Sequence, residues 1–381
     1  PKAGPEPTIS LDVPSEFELK NGLKVLVVEN HKLPRVSYSL RIDNKPIATG
    51  EKAGVESLIG SMLGNGTTTI SKDDFNEEID FLGARLNIGF GGGSANSITK
   101  YSNRMLELLA DAAMNPLLTE EEFQKEKEKL IEGIKSDAKS VDAIAGRVGG
   151  ALAYGKQHPY GEFVTEESVE AVTLADVKTY FDTYFTPNNT YLVIIGDVNT
   201  KSIVKLVKKH FKKWEKAATT TTVIIEPNAN PESLEIDFID MPNAVQSNIS
   251  LTSNVKLKMS DPDYHAVLIA NKILGGGFNS YLNMNLREEH GYTYGARSSV
   301  GTDKYISRFR AGAAVRNAVT DSAVVETIKE INKAEETKIR NCSEGQLRII
   351  QCRVVGGPLL HPDFFCRAGK VADDQLLIGK A

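Results

Sequence analysis

Cysteine is scarce in this chain and lies only near one end. The 381 residues include three cysteines, Cys342, Cys352 and Cys366, and none of them forms a C-x-x-C pair. An odd number of cysteines confined to one end excludes a disulfide framework. The distribution suits either an exported bacterial protein or a cytoplasmic one, and we favour an exported or periplasmic location over a cytoplasmic or mitochondrial one.

Long apolar runs and an excess of basic residues are also absent. No stretch of about 18 or more apolar residues occurs, so we predict no transmembrane span. The formal net charge of −5 argues against a nucleic-acid partner, because binding to a phosphate backbone requires a positive surface. With 41% hydrophobic residues the chain can bury a sizeable core, and its length predicts two domains.

Histidines that could act together as metal ligands are missing as well. No H-E-x-x-H motif occurs, and the histidines lie far apart in the sequence, at His31, His158, His210, His265, His290 and His361. The acidic run Glu288-Glu289-His290 is more typical of a charged helix end than of a metal site. The sequence therefore predicts no metal and no cofactor.

The order of helix and strand patterns repeats once along the chain. Ser71 with Asp74, and Thr119 with Glu122, mark helix starts. The first copy has strands at 17–20, 23–29, 36–42, 84–88 and 94–99 and helices at 54–63 and 104–114; the second has strands at 234–239, 246–252 and 305–314 and helices at 262–274 and 322–334. This grouping predicts an α+β protein of two homologous domains, each a mainly antiparallel sheet packed against helices.

The domain boundaries follow from composition. Residues 1–14 hold four prolines and are expected to form an N-terminal arm, and residues 217–230, rich in threonine, are expected to form a linker. We assign residues 15–216 to the first domain and 231–381 to the second. From about residue 340 the second domain lacks the closing helix and strand of the first, so we expect it to be truncated or altered, with an exposed sheet edge.

A helix near the start of the first domain carries an unusual set of small residues. Apolar residues recur at helical spacing between Gly54 and Thr67, and the opposite face carries Ser57, Gly60 and Ser61 at positions i, i+3 and i+4. This is the spacing of the inverted zinc motif H-x-x-E-H, without its imidazoles and carboxylate. The alternative interpretation is that small residues let another element pack closely.

Four stretches, in the right order and covering about residues 15–335, resemble the metallopeptidase family that includes pitrilysin, insulysin and mitochondrial processing peptidase. The four stretches are Leu19–Val25, Gly54–Thr67, His158–Gly161 with the later Gly196–Val198, and Leu286–Tyr294. The resemblance implies two zinc histidines at the positions of Ser57 and Ser61 and the base glutamate at that of Gly60. It also implies a glutamate ligand seven residues after Glu126, where Gly133 stands.

All four positions of the metal site are therefore lost. Glu132 is adjacent to Gly133 but lies about 100° around the helix, so it is expected to point away. We interpret four concerted losses as an abandoned zinc site.

The resemblance also implies two substrate-binding residues in the second domain. Arg287 and Tyr294 have the spacing of the family's arginine and tyrosine, which hold the substrate backbone and the developing oxyanion. Guanidinium and phenol groups can donate hydrogen bonds to carbonyl oxygens. Without the resemblance, Arg287 would be interpreted as a surface charge and Tyr294 as a core tyrosine.

A glycine-rich segment follows the first of two predicted strands in the first domain. In the family the strand near this point is a sheet edge to which an extended substrate can add. A flexible hairpin tip is an equally good interpretation. The segment includes Gly89, Gly91, Gly92 and Gly93.

Three hypotheses about function follow. The first is a non-catalytic subunit that binds a peptide or unfolded protein and gives oxyanion groups to a zinc-bearing pitrilysin-family paralogue. The second is a scaffold protein of the same fold with no role in proteolysis. The third, a peptidase active by itself through other ligands, is the least favoured.

Overall fold

The chain folds into two compact units. The computed structural model describes residues 13–217, 225–336 and 351–355. The first unit comprises residues 1–134 and 164–224, and the second comprises residues 135–163 and 225–381. The predicted arm lies mostly outside the described residues, as do residues 218–224 of the predicted linker and most of the chain after 336. None of the described helices is long and apolar enough to cross a membrane.

The first unit is built on a six-stranded sheet. Its order is β1-β2-β6-β3-β5-β4, and β2 and β6 are its one parallel pair. Alternate residues such as Val25, Tyr38 and Leu40 point inward, where they are fully buried among the helices. The strands are β1 Ser15–Glu18, β2 Lys24–Glu29, β3 Arg35–Ile42, β4 Arg85–Gly89, β5 Gly92–Ile98 and β6 Thr190–Gly196.

Eight helices accompany these strands among residues 13–217. Ser71 and Thr119 accept hydrogen bonds from the backbone amides of Asp74 and Glu122, so both predicted helix starts are confirmed. The helices are α1 Val55–Met62, α2 Lys72–Phe81, α3 Ser102–Met114, α4 Glu120–Asp137, α5 Val141–Tyr154, α6 Glu166–Ala171, α7 Leu174–Tyr184 and α8 Thr200–Phe211.

One of these helices, α5, belongs to the second unit. The sequence-based boundary had placed it in the first domain. Its small residues Ala145, Gly149 and Gly150 are buried, and the helix packs against a strand of the second sheet. The side-chain amide of Asn254 on that strand donates to the carbonyl of Ala153 at 2.6 Å. This pairing is not local in sequence, so boundary signals in the sequence do not reveal it.

In the described part of the chain, the second unit repeats the first sheet with one strand fewer. Its order is β7-β11-β8-β10-β9, with β11 parallel to β7 and antiparallel to β8, as β6 is to β2 and β3. This repetition confirms the predicted α+β fold. The strands are β7 Ile236–Ile239, β8 Gln246–Val255, β9 Thr293–Val300, β10 Ser307–Arg316 and β11 Gln351–Val355.

The prediction that a missing closing strand leaves an exposed sheet edge was wrong. Strand β11 occupies that position, between β7 and β8. The two units still differ in the length of the chain segment that precedes the corresponding strand, β11 or β6. Residues 337–350 separate its last helix from β11, whereas residues 115–189 separate α3 from β6. Its helices outside α5 are α9 Tyr264–Leu274, α10 Tyr281–Asn283, a π-helix at Met284–Glu289 and α11 Thr320–Glu336.

Candidate functional site

Helix α1 forms because its apolar residues share one face. Val55, Leu58, Ile59 and Met62 are all at most 2% exposed in the core of the first unit. Ser57 and Ser61 lie exposed on the opposite face, with Gly60 half-buried between them. The Ser61 hydroxyl donates to the carbonyl of Ser57 at 3.1 Å, a bond within the helix itself. The zinc-motif positions therefore face outward together, as their spacing predicts.

The side chains at these positions do not fit a zinc ion. Serine hydroxyls and glycine supply none of the imidazole, thiolate or carboxylate ligands that zinc requires. On α4, Gly133 is exposed and a Cβ built there would meet no atom within 4 Å. Glu126, seven residues earlier, pairs with Lys129 at 2.6 Å. Among the described residues, no three His, Cys, Asp or Glu side chains are grouped to hold a metal ion.

The strand beside this helix is an edge of the first sheet. β4 pairs with β5 on one side and, within the described part of the chain, with no strand on the other. A Cβ built on Gly60 would lie 3.9 Å from the backbone nitrogen of Phe90, the residue that follows β4. The empty zinc-motif face and the free backbone of β4 are thus neighbours in the first unit.

The four glycines of the predicted edge segment divide into two kinds. Gly89 ends β4 and Gly91 lies in the turn, and neither would bring a Cβ within 4 Å of another atom. Gly92 and Gly93 lie inside β5, paired with β3 on one side and β4 on the other. Their backbones approach neighbouring carbonyls too closely for a side chain. Gly92 and Gly93 are therefore part of the sheet interior, and only Gly89 lies on the edge strand.

In the second unit, Arg287 lies on the π-helix. Its side chain is 37% exposed, and its Nε lies 3.5 Å from Oε1 of Glu288. Its guanidinium carbon lies 4.7 Å from the ring centroid of Phe278, a cation–π contact. Phe278 is itself 62% exposed. π-Helical turns are rare and are frequent at functional sites, so the arginine is presented on an unusual piece of backbone.

Tyr294 lies near the start of β9, which is an edge strand of the second sheet as far as the described residues show. It is 91% exposed, which excludes the interpretation as a core tyrosine. Tyr294 and Gly295 together oppose the single residue Ala314 on β10, which is a β-bulge. Bulges redirect side chains and occur often beside functional sites. A large aromatic ring held out in solvent at such a place has no packing role in the described structure.

The motif His158-Pro159-Tyr160-Gly161 has a structural role in the second unit. His158 is 5% exposed and stacks on Tyr154 at 5.3 Å between ring centroids. Its Nδ1 accepts a hydrogen bond from the backbone amide of Tyr160 at 3.0 Å, so the neutral ring carries its proton on Nε2. The Tyr160 hydroxyl donates to Oδ2 of Asp303 at 2.9 Å, which ties the motif to the loop before β10.

Because His158 is buried as the neutral form, the protein should lose stability as the pH falls below about 6.5, the usual histidine pKa. Burial lowers the pKa of His158, and the charges of Asp303 and Glu226 oppose this only in part. The unfolded chain then binds a proton that the folded chain resists. One such group changes the unfolding free energy by at most about 1.4 kcal/mol per pH unit.

Urea unfolding between pH 5 and 7.5, followed for the intact chain and for His158→Phe, measures this effect. The variant keeps an aromatic ring for the stack but cannot titrate. Its unfolding free energy should fall less steeply below pH 6.5 than that of the unchanged chain. Parallel curves would show that His158 does not carry the pH dependence.

Comparisons with known proteins show which families and folds the chain is similar to. Residues 171–348 match the family model described as peptidase M16 inactive domain. An uncharacterized zinc protease of Bacillus subtilis is 24% identical over 74% of this chain and 69% of its own length. A probable mitochondrial-processing peptidase subunit beta of Arabidopsis thaliana is 25% identical over 68% of this chain and 49% of its own length.

The fold is also that of a solved structure. The crystal structure of a peptidase M16 inactive domain from Pseudomonas fluorescens superposes with a TM-score of 0.76 at 19% identity, over 91% of this chain and 98% of its own. The fold and the emptied motif define a pitrilysin-like metallopeptidase relative with a non-catalytic zinc motif. The chain is similar to the peptidase M16 family: the inactive-domain model matches residues 171–348, and the fold is that of a solved member.

Proposed function

We propose that this chain is a zinc-free subunit that binds extended peptides and completes the active site of a zinc-bearing pitrilysin-family paralogue. The single observation that carries the proposal is the combination of a metal helix without ligands and a fully displayed Tyr294. A tyrosine that is 91% exposed on a bulged edge strand contributes nothing to the stability of the fold, so it favours a role in binding.

The role of Arg287 and Tyr294 is to donate hydrogen bonds. The guanidinium can hold a peptide carbonyl, and the phenol can stabilise the oxyanion that forms when water attacks the carbonyl carbon. A guanidinium offers no lone pair to a metal or a proton, and a phenol is not among the usual zinc ligands. These groups therefore complement a zinc centre and do not replace one. The zinc-bearing partner would supply the metal, the water and the general base.

Substrate binding in the first unit is assigned to the edge strand β4. Its free backbone amides and carbonyls can pair with an extended peptide, as edge strands of many peptide-binding domains do. The open space around Gly89 leaves room for a close approach by that peptide. This assignment extends the proposal to unfolded proteins, which offer extended segments of any sequence.

The reconstitution experiment mixes this chain with an H-x-x-E-H paralogue from the same source and follows cleavage of a quenched fluorescent peptide. We expect no cleavage by this chain alone and strong cleavage by the mixture. Tyr294→Phe should lower the activity of the mixture about 100-fold, the usual effect of removing an oxyanion donor. Arg287→Ala should also lower it, because the hydrogen bond to the substrate carbonyl is lost. Arg297→Ala, an exposed arginine on β9, is the matched control and should leave the activity unchanged.

Two outcomes would contradict the proposal. Chelator-sensitive cleavage by the isolated chain would mean that it binds its own metal. An Arg287→Ala mixture as active as the unchanged one would remove the assigned role of the arginine.

Backbone pairing is tested separately by peptide binding. Mixed-sequence fluorescent peptides should bind the isolated chain, and the same peptides with alternate amides N-methylated should bind about tenfold more weakly or not at all. The N-methyl groups remove the donors that pair with a strand edge and leave the side chains unchanged. Equal binding of both sets would exclude β-strand addition.

The alternative, a scaffold without a role in proteolysis, predicts a different result in the same experiments. The mixture would form a complex but would cleave no faster than the zinc-bearing paralogue alone. Arg287→Ala and Tyr294→Phe would change neither binding nor cleavage. The relative from Arabidopsis thaliana is named as a subunit, which favours an assembly under either proposal.

A further inference from the structure

Asn285, a buried residue of the π-helix that carries Arg287, joins this helix to α11 by side-chain hydrogen bonds. Asn285 is 4% exposed, and its Nδ2 donates to Glu326 Oε2 and to Glu330 Oε1, both at 2.9 Å. The two carboxylates also pair with lysines of α11, at 3.0 Å for Lys329 and 3.1 Å for Lys333. One amide group thus bridges two acidic side chains of α11.

The backbone of Asn285 also forms the widened turn. Its carbonyl accepts a hydrogen bond from the amide of His290 at 3.0 Å, five residues further on, which is the bond that defines a π-helix. Residues two apart on a helix point in nearly opposite directions. When Asn285 is fixed toward α11, Arg287 must face away from the core.

Asn285 is an unusual choice for packing alone. Its Oδ1 is buried and has no hydrogen-bond partner in the described structure, and Glu330 beside it is 4% exposed. Buried polar groups without partners destabilise a fold, and apolar residues of similar volume often replace such clusters with no loss of stability. A polar bridge that leaves one acceptor unsatisfied therefore calls for another explanation.

We propose that Asn285 is a positioning residue: by bridging Glu326 and Glu330 it holds the π-helix so that the Arg287 guanidinium faces the bound peptide backbone. The inference rests on the proposed function of Arg287 and adds how that residue is held in place. Asn285 itself does not touch the substrate.

The first test observes Arg287 without any ligand. In the ¹⁵N spectrum of the intact chain the Nε–H signal of Arg287 is identified by its loss in Arg287→Ala. Asn285→Ala should shift or broaden that signal. Thr327→Ala is the matched control: Thr327 is 2% exposed on α11, and among the described residues its hydroxyl donates to the Ala323 carbonyl of its own helix and not to the π-helix. An unchanged Arg287 signal in folded Asn285→Ala would overturn the proposal.

A second variant covers the case in which Asn285→Ala does not fold. Asn285→Leu combined with Glu330→Met replaces the amide and one carboxylate by apolar groups of similar size, which restores packing without the bridge. The Arg287 signal should still shift or broaden in this variant. If the fold and the signal are both unchanged, the bridge does not position the arginine.

The second test measures whether Asn285 acts through Arg287. We expect Asn285→Ala to weaken binding of the fluorescent peptides about tenfold, and to have no further effect in the Arg287→Ala background. Additive losses in the double variant would overturn the proposal. If Arg287→Ala alone leaves peptide binding unchanged, the proposed function of Arg287 fails, and the spectrum of Asn285→Ala still decides the positioning claim.

Discussion

Restoring four side chains in the first unit is expected to give the chain a tightly bound zinc ion. The variant combines Ser57→His, Gly60→Glu, Ser61→His and Gly133→Glu. Two histidines and a glutamate form a common catalytic zinc site, and the frame of α1 already directs positions 57, 60 and 61 to one exposed face. Zinc measured by mass spectrometry after gel filtration should reach one equivalent per chain, against none in the unchanged protein.

The new side chains should not disturb the fold. A Cβ at Gly60 meets nothing nearer than 3.9 Å, and one at Gly133 meets nothing within 4 Å. Replacing glycine inside a helix stabilises it by roughly 0.5–1 kcal/mol. Any failure to bind zinc would therefore report on the site and not on misfolding.

A matched control shows whether a histidine pair on any exposed helix is enough to retain zinc. Lys201→His with Lys205→His places an exposed i, i+4 pair on α8, where no third ligand is provided. The restored variant should retain zinc through gel filtration and the control should lose it. Equal retention by both would mean that α1 and α4 do not converge on a metal position.

Replacing Gly92 by alanine is expected to destabilise the first unit strongly. Gly92 has φ +117, a conformation that alanine rarely adopts, and the new Cβ would lie 2.1 Å from the carbonyl oxygen of Leu40. Gly92 is paired on both sides, with Arg41 of β3 and Gly89 of β4, so neither strand can move away. The loss should be about 3 kcal/mol or more.

Calorimetry of Gly92→Ala beside Gly91→Ala measures this difference. The melting temperature should fall by about 10 °C for Gly92→Ala, and should hardly change for Gly91→Ala because that position faces open space. Equal shifts would mean that the hairpin adapts to a side chain at either place. The comparison of the two variants also distinguishes glycines required inside the sheet from glycines next to its free edge.

The sequence by itself determined the features that depend on near neighbours in the chain. The apolar spacing of α1 predicted which residues are buried, and the same spacing placed Ser57, Gly60 and Ser61 on one outward face. The residue types at these three positions are also given by the sequence, whereas the absence of bound zinc stays a prediction. The helix starts at Ser71 and Thr119 depend on contacts three residues apart and were confirmed for the same reason.

Only the tertiary structure decided what depends on strand order and distant packing. Whether Tyr294 is buried or exposed depends on the position of β9 at the edge of its sheet. The local sequence pattern does not predict which strands lie beside β9. Strand order also decides that Gly92 lies in the interior of the sheet and Gly89 on its edge strand. Asn285 is 41 and 45 residues from its partners Glu326 and Glu330 in the sequence. Sequence spacing therefore gives no signal for the hydrogen bonds that join the π-helix to α11. Local periodicity fixes which face of an element is apolar, whereas the fold decides what that face meets.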